Sequence, residues 1–447
     1  MLAKNQISKK NIINILICLL PVSYIVGNLL LNLNILSILI FFFLSFKLEI
    51  LKFRLDIIDK LILILFFYIL SNGLINNYFN FDHKSEENVI LFKSLAYLRF
   101  LILYFVFRYL IRNNLIKYNF LFFSFGFLAL FVSLDIIYQF FFRVDFFGFE
   151  APVSQRRLAG PFGDEWIAGS FIQRFYLFLI FYLLIFSKIK DQLKLNSLNI
   201  LVLFLSVLGV VMAGNRVPAV MFIISVFLIM ILEKSLRKIL AILIFISISS
   251  IYFFSSNNAT LKVHYNSFFE KGSEVITYFY KKYDPVKTEL PKQEIASSIC
   301  PKLSNKKCTS YIKEIETGLV TWQQNKIFGG GIKSFYYNCA KINESINPWG
   351  CSSHPHSYYI QLAAELGIVG LVIISIIFFI IIIRFIKNYF FEENFYKKKM
   401  LLPFFILFVI EIFPLKTTGS FFTTTNASYL FIIISFIIGL MEMKKVE

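Results

Sequence analysis

Residues 358–386 read YYIQLAAELGIVGLVIISIIFFIIIIRFI, with only two charged side chains, Glu365 and Arg384. A run this long and apolar does not suit a soluble core. About 20 such residues in a helix cross a hydrocarbon layer of about 30 Å. Similar runs lie near 11–31, 33–46, 57–74, 88–110, 119–142, 167–187, 198–213, 217–232, 239–254, 400–415 and 428–442. The run at 33–46 is short and reads as a hairpin partner of the first, whereas the stretch from 358 is long enough to tilt or to extend past the bilayer. Of the 447 residues, 57% are apolar, and the mean hydropathy is +0.70. The expectation is an all-α polytopic membrane protein with about twelve transmembrane helices.

The net charge of +18 invites a nucleic-acid reading. The distribution of the charges argues against it, because they sit in short clusters between apolar runs, as the positive-inside rule requires. Lys4, Lys9 and Lys10 precede an apolar run from Ile12, but no small-residue cleavage pattern follows, so a retained signal anchor is expected. With the N-terminus inside, the cytoplasmic segments collect 23 of the 45 basic residues, among them Arg108, Lys188, Lys234 and Lys397. The short external loops hold Lys84, Arg143, Arg156, Arg157, Arg216 and Lys416. That asymmetry predicts an inner-membrane protein with both termini cytoplasmic. The 56 Phe fit a bias towards A/T-rich codons and carry no functional reading.

Three regions follow: helices over 1–254, a large periplasmic loop over 255–357, and helices over 358–447. The loop is too long for a passive connector and predicts a small folded unit. Within it, residues 309–327 place Tyr311, Ile312, Ile315, Leu319 and Trp322 at helical spacing, which predicts an amphipathic helix. Four of the five cysteines, Cys300, Cys308, Cys339 and Cys351, lie in the loop, and Cys18 lies in the first span. An even set on an oxidising face points to disulfides. Three connectivities are open, with Cys300–Cys308 and Cys339–Cys351 favoured because they close short local loops. A zinc site is the alternative, but the spacing contains no C-x-x-C pair.

Three polar clusters fall on the external side, where membrane proximity makes polar groups costly and therefore informative. Arg156-Arg157-Leu158-Ala159-Gly160-Pro161-Phe162-Gly163-Asp164-Glu165 reads either as an interfacial loop with ion pairs or as an anion site. Ala213-Gly214-Asn215-Arg216-Val217-Pro218 sets one Arg at the start of a helix. The choices there are a snorkelling cation and a ready anion site. Cys351 to Gly370 holds two of the four histidines, His354 and His356, beside Ser357, Tyr358, Gln361 and Glu365. Imidazole suits general-base work near neutral pH, and Gly367 and Gly370 suit close helix packing. A His-x-His metal pair has no evident third ligand nearby. No P-loop or G-x-G-x-x-G appears, so nucleotide chemistry has no visible seat.

These residues resemble the O-antigen ligase family, which includes related polysaccharide polymerases. Its signature is a His followed by Asn, Ser or Gln, then nine residues, then Gly-x-x-Gly. His356-Ser357, Tyr358 to Leu366, and Gly367-Ile368-Val369-Gly370 match it throughout. Phe328-Gly329-Gly330-Gly331-Ile332-Lys333-Ser334-Phe335 resembles the family's Gly-rich segment ahead of that His, and Arg157 to Phe162 resembles its Arg-x-x-Gly-x-Phe pattern. An Asn-rich step usual in the family is here Gly163-Asp164-Glu165. The resemblance spans about residues 120–385.

The resemblance implies a GT-C-type membrane glycosyltransferase working on the periplasmic face. The donor would be a glycan on undecaprenyl diphosphate, and the acceptor lipid A–core or a second lipid-linked glycan. Neither metal nor cofactor is implied. His356 would be the base, Arg216, Arg157 and Arg156 would hold the diphosphate, and His354, Tyr358 or Glu365 would orient the base. A polymerase using the same donor is the first alternative. A transporter or flippase is the second, although Lys93, Arg99 and Arg174 in or near spans come with no visible internal repeat.

Overall fold

The computed structural model describes residues 2–47, 54–79, 89–152, 157–257, 310–342, 351–416 and 419–443, with Ser273 and Thr277. Among them the protein is helical throughout, and its one β-bridge, Val144 to Glu150, closes a loop. The helices in chain order are α1 (Leu2–Cys18), α2 (Leu20–Val26), α3 (Asn28–Phe46), α4 (Ile57–Phe79), α5 (Val89–Arg112), α6 (Tyr118–Phe142), α7 (Ala168–Phe186), α8 (Gln192–Met212), α9 (Arg216–Leu232) and α10 (Arg237–Asn257). Beyond residue 309 come α11 (Ser310–Gln324), α12 (Phe335–Ala340), α13 (Tyr358–Phe391), α14 (Phe395–Glu411) and α15 (Thr424–Glu442).

Nine helical segments among the described residues are long and apolar enough to cross a membrane. They are Lys9–Val26, Asn28–Phe46, Ile57–Tyr78, Val89–Arg112, Tyr118–Phe142, Ala168–Phe186, Gln192–Met212, Tyr358–Phe391 and Thr424–Glu442. The count reaches ten if α9 and the start of α10, bent by 113°, form one broken span. The expectation of about twelve is therefore larger than the number that meets this standard. The difference lies in α9 and α14, which have 17 residues each, and in the sharp corner after α9. The protein is a multi-pass membrane protein. The short second run is indeed one arm of a hairpin: α2 and α3 meet at Gly27, whose φ of 119° makes the reversal, and Asn34 Nδ2 donates to Ser23 Oγ at 2.9 Å.

Two helices form the centre. In α15, 89% of the apolar window is buried, and in α7, 72%, so both face protein rather than lipid. A helix apolar on every side suits that position. Phe404 of α14 stacks on Phe436 of α15 at 4.5 Å, and Phe175 of α7 meets Tyr429 of α15 edge-on at 5.7 Å.

One end of the bundle is tied by ion pairs. Arg108, fully buried in α5, is bidentate on Asp59 at 3.2 Å for both contacts, and it also reaches Glu442 at 2.9 Å. Tyr104 donates to the same Asp59 carboxylate. Arg108 counted as a loop cation in the charge distribution, but it joins α4, α5 and α15. Arg384 pairs with Asp56, and Lys399 with Glu233 at 2.8 Å in the corner after α9.

Removing one partner of a buried pair strands the other charge, at a cost of about 3–5 kcal/mol. Asp59→Ala is expected to lower the thermal unfolding midpoint in detergent clearly. A midpoint equal to that of the parent protein would show that Glu442 alone satisfies Arg108.

Candidate functional site

The Gly-rich stretch and the Gly367 motif, 36 positions apart by the numbering of Gly331 and Gly367, form one structural unit. Gly367 interrupts α13 with φ 66° and ψ −172°. A break inside a helix strands backbone groups that must be paired. The Gly-rich loop pairs them. Ile368 N and Val369 N donate to Lys326 O and Ile327 O at 2.9 and 3.2 Å. Gly330 N and Gly331 N donate to Ala364 O and Glu365 O at 3.3 and 2.8 Å. The Tyr68 hydroxyl of α4 bridges Leu366 O at 2.7 Å and Phe328 O at 2.9 Å. The approach is close enough to exclude side chains: a Cβ on Gly367 would lie 2.1 Å from Ile327 O, and one on Gly329 2.4 Å from Gly367 N. Gly367 is thus a docking notch, whereas its spacing had read as a helix-packing position.

Glu365, fully buried, serves the same junction. Its Oε2 accepts from Lys333 N at 2.7 Å, and its Oε1 accepts from Gln361 Nε2 at 3.0 Å. Gln361 in turn holds Ser420 Oγ at 2.8 Å and accepts from Phe421 N at 2.8 Å, and Lys333 Nζ reaches Ser420 Oγ at 3.1 Å. Burial pushes the Lys333 ammonium below the usual lysine range; Glu365 opposes the shift and Lys93 adds to it.

His356 stands just before α13 in the left-handed region, at φ 50°. Its side chain is 39% exposed, and its Nε2 lies 3.7 Å from Glu314 Oε1 of α11. The His354 ring packs 4.1 Å from the His356 ring, and His354 Nδ1 meets Ser353 Oγ at 2.9 Å. Helix α11 can lie this close because Gly318 has no side chain: a Cβ there would be 2.3 Å from Ile360 Cγ2 and 2.9 Å from Pro355 Cβ. Burial raises the Glu314 carboxyl to about 7. A disulfide joins Cys339 to Cys351, with Cα atoms 5.9 Å apart, and ties α12 to the chain entering the His356 loop. Cys300, Cys308 and Arg156 lie outside the described residues, and Cys18 is a free thiol in α1.

Tyr358 belongs to a different network. Its hydroxyl donates to Glu411 Oε1 at 2.7 Å. Arg174 of α7 donates to both Glu411 oxygens, at 2.7 and 3.1 Å, and to Asn426 Oδ1 of α15 at 2.7 Å. Lys416 Nζ reaches Glu411 Oε2 at 2.6 Å. The Arg174 guanidinium also lies 4.7 Å from the centre of the Tyr429 ring. Burial, with Arg174 nearby, lowers the Lys416 ammonium to about 8 against the pull of Glu411. Arg174 and Glu411 are 237 positions apart, so no local pattern announces the pair.

The two arginine loops also meet. Leu158 N donates to Ala213 O at 3.2 Å, Asn215 Nδ2 to Trp166 O at 2.9 Å, and Gly169 N to Asn215 Oδ1 at 3.3 Å. Arg157 lies 5.7 Å from the centre of the Trp166 ring, and its Nε is buried with no hydrogen-bond partner among the described residues. Arg216 is the first residue of α9 and is 9% exposed. These loops precede α7 and α9, and Arg174 of α7 leads directly to Glu411 and the start of α13. All three polar clusters therefore share one end of the bundle, opposite the Arg108 ion pairs.

Residues 201–375 match the model of the O-antigen ligase family. The segment is similar to that family. It runs from α8 through the Gly367 notch of α13, and so includes Arg216, the Gly-rich loop, Glu314 and His356. Arg157, Arg174, Glu411 and Lys416 lie outside it. No curated protein matches the chain. Two features escaped the sequence. Glu314 lies within the expected amphipathic helix, where its spacing carries no signal of its own. Arg174 and Lys416 showed only as a polar residue in a span and a loop cation.

Gly367→Ala forces a side chain into the Ile327 carbonyl and holds it at positive φ. A strained backbone site of this kind costs about 1–3 kcal/mol. The variant is expected to lose thermal stability in detergent and to expose the 326–331 loop to proteolysis. Unchanged stability and protection would contradict the docking notch.

Proposed function

We propose that this chain is a GT-C-type glycosyltransferase of the bacterial inner membrane, with about twelve spans, cytoplasmic termini and a site on the periplasmic face. It acts as an O-antigen ligase, moving a glycan from undecaprenyl diphosphate to a hydroxyl of lipid A–core. The observation that carries this reading is the His356-to-Gly370 motif inside the O-antigen ligase-family segment, with the arginine loops at the same end of the bundle.

The chemistry follows from the groups available. The acceptor hydroxyl gives its proton to His356, and its oxygen forms a bond to the anomeric carbon. The bond from that carbon to the diphosphate oxygen breaks, and undecaprenyl diphosphate departs with the electron pair. The imidazolium then releases its proton to water. Negative charge grows on the leaving diphosphate as the bond breaks, so fixed cations stabilise the transition state more than the ground state. Arg216 and Arg157, with Arg156, supply that charge in place of a metal. The partly exposed His356 side chain is accessible to an acceptor. Lateral entry between apolar helices suits the polyprenyl chain.

His356→Ala is expected to lower transfer from a lipid-linked donor by roughly 10²–10⁴-fold, the usual range for a general base. Arg216→Ala is expected to lower it by roughly 10²–10³-fold, as for loss of one electrostatic donor. Chelation with EDTA should leave the parent rate unchanged. Full transfer by both variants would sink the mechanism. Products separate ligase from polymerase: ligase action joins the glycan to lipid A–core, whereas a polymerase lengthens the lipid-linked glycan.

A further inference from the structure

Helix α11 brings one carboxylate to the His356 ring, and no sequence motif marks it. Glu314 Oε1 faces His356 Nε2 at 3.7 Å, within ion-pair range. Two further observations show that this approach is built in. Gly318, one turn along α11, lets the helix rest directly on Pro355 and Ile360, on either side of His356 in the chain. The C-terminal end of α11 is fixed as well: Trp322 Nε1 donates to Lys326 O at 3.0 Å, and Lys326 O also accepts from Ile368 N at the Gly367 notch. The helix that carries Glu314 is thus held at both the His356 loop and the Gly-rich loop. Glu314 is partly shielded, with a side chain 24% exposed.

We propose that Glu314 is the positioning residue of His356: it attracts the Nε2–H, fixes the ring's orientation, and leaves Nδ1 as the nitrogen that takes the acceptor's proton. A carboxylate holding the far nitrogen of a catalytic imidazole fixes its tautomer and stabilises the imidazolium as it forms. At 3.7 Å the contact is an ion-pair distance rather than a hydrogen bond, and the proposal requires it to shorten with substrate bound, as catalytic contacts in unliganded proteins often do. In the transfer step the proton moves from the acceptor oxygen to Nδ1 as that oxygen bonds to the anomeric carbon, Nε2 keeps its own proton directed at Glu314, and the electron pair of the broken bond leaves on the diphosphate. Burial raises the Glu314 carboxyl to about 7, and an imidazolium beside it favours the ionised form. This assignment rests on the reading of His356 as the base.

The test uses the full-length chain in lipid nanodiscs, with an undecaprenyl-diphosphate-linked glycan as donor. Glu314→Gln and Glu314→Ala should lower kcat by tenfold or more with KM for the donor unchanged, and Glu314→Asp should restore part of the loss. In a chain labelled with ¹⁵N-histidine, parent His356 should show the neutral tautomer with the proton on Nε2, and Glu314→Ala should convert it to a mixture. The spectrum reads the pair whether or not transfer is detected. Full kcat in Glu314→Ala while His356→Ala is inactive would overturn the role of Glu314 and leave His356 standing as the base. An unchanged tautomer in Glu314→Ala would overturn it as well. Full activity of His356→Ala would instead remove the reading beneath it.

Discussion

A carboxylate inside a membrane bundle is tolerable only where counter-charges and hydrogen bonds meet it. Glu411 is met on both oxygens, by Arg174 from α7, Lys416 from the loop after α14, and Tyr358 at the start of α13. Arg174 extends the network to Asn426 of α15. One carboxylate thereby fixes the relative positions of four helices at a single end of the molecule. Tyr358 lies two residues after His356, so the same node sets where α13 begins and where the His356 loop must turn. Removing Glu411 would leave two cations facing each other in a low-dielectric setting, which explains why so much of the end depends on one side chain.

The second constraint is backbone pairing. An interrupted helix near a membrane needs partners for its freed amides and carbonyls. The Gly-rich loop supplies them at Gly367, and only glycines permit the approach. The motif's two halves are therefore not independent signals. Gly329 is glycine because it lies against α13, Gly331 because Ile90 of α5 fills the space of its side chain, and Gly367 because Ile327 occupies the space of its own. Glu365 and Gln361 extend the junction to Ser420 and Phe421, linking it to the loop between α14 and α15.

What the sequence disclosed and what it hid follow from range. Apolar runs, loop charges and the His356 spacing are local, so the membrane class and the likeness to the O-antigen ligase family could be read from residues alone. The Cys339–Cys351 bridge also closes a short loop. The Glu411 network joins residues up to 252 positions apart, and each member viewed locally is one polar residue near a helix end. Gly367 misled in a different way. In an apolar run a glycine reads as a packing surface, and only the docked loop reveals a break. Helices α9 and α14 have 17 residues each, so whether they count as spans turns on one residue of length, which apolar runs in a sequence do not resolve.

With these constraints met, His356 and the arginine loops stand at one end of the bundle, and the chemistry proposed for them is a single displacement. A base-activated hydroxyl attacking the anomeric carbon directly must invert its configuration, whereas a covalent glycosyl-enzyme intermediate would give retention through two displacements. The most direct measurement is the anomeric configuration of the newly formed linkage, determined by NMR on product made from a lipid-diphosphate donor of known configuration. Inversion is expected. Retention would contradict His356 as a general base and require a nucleophile in its place.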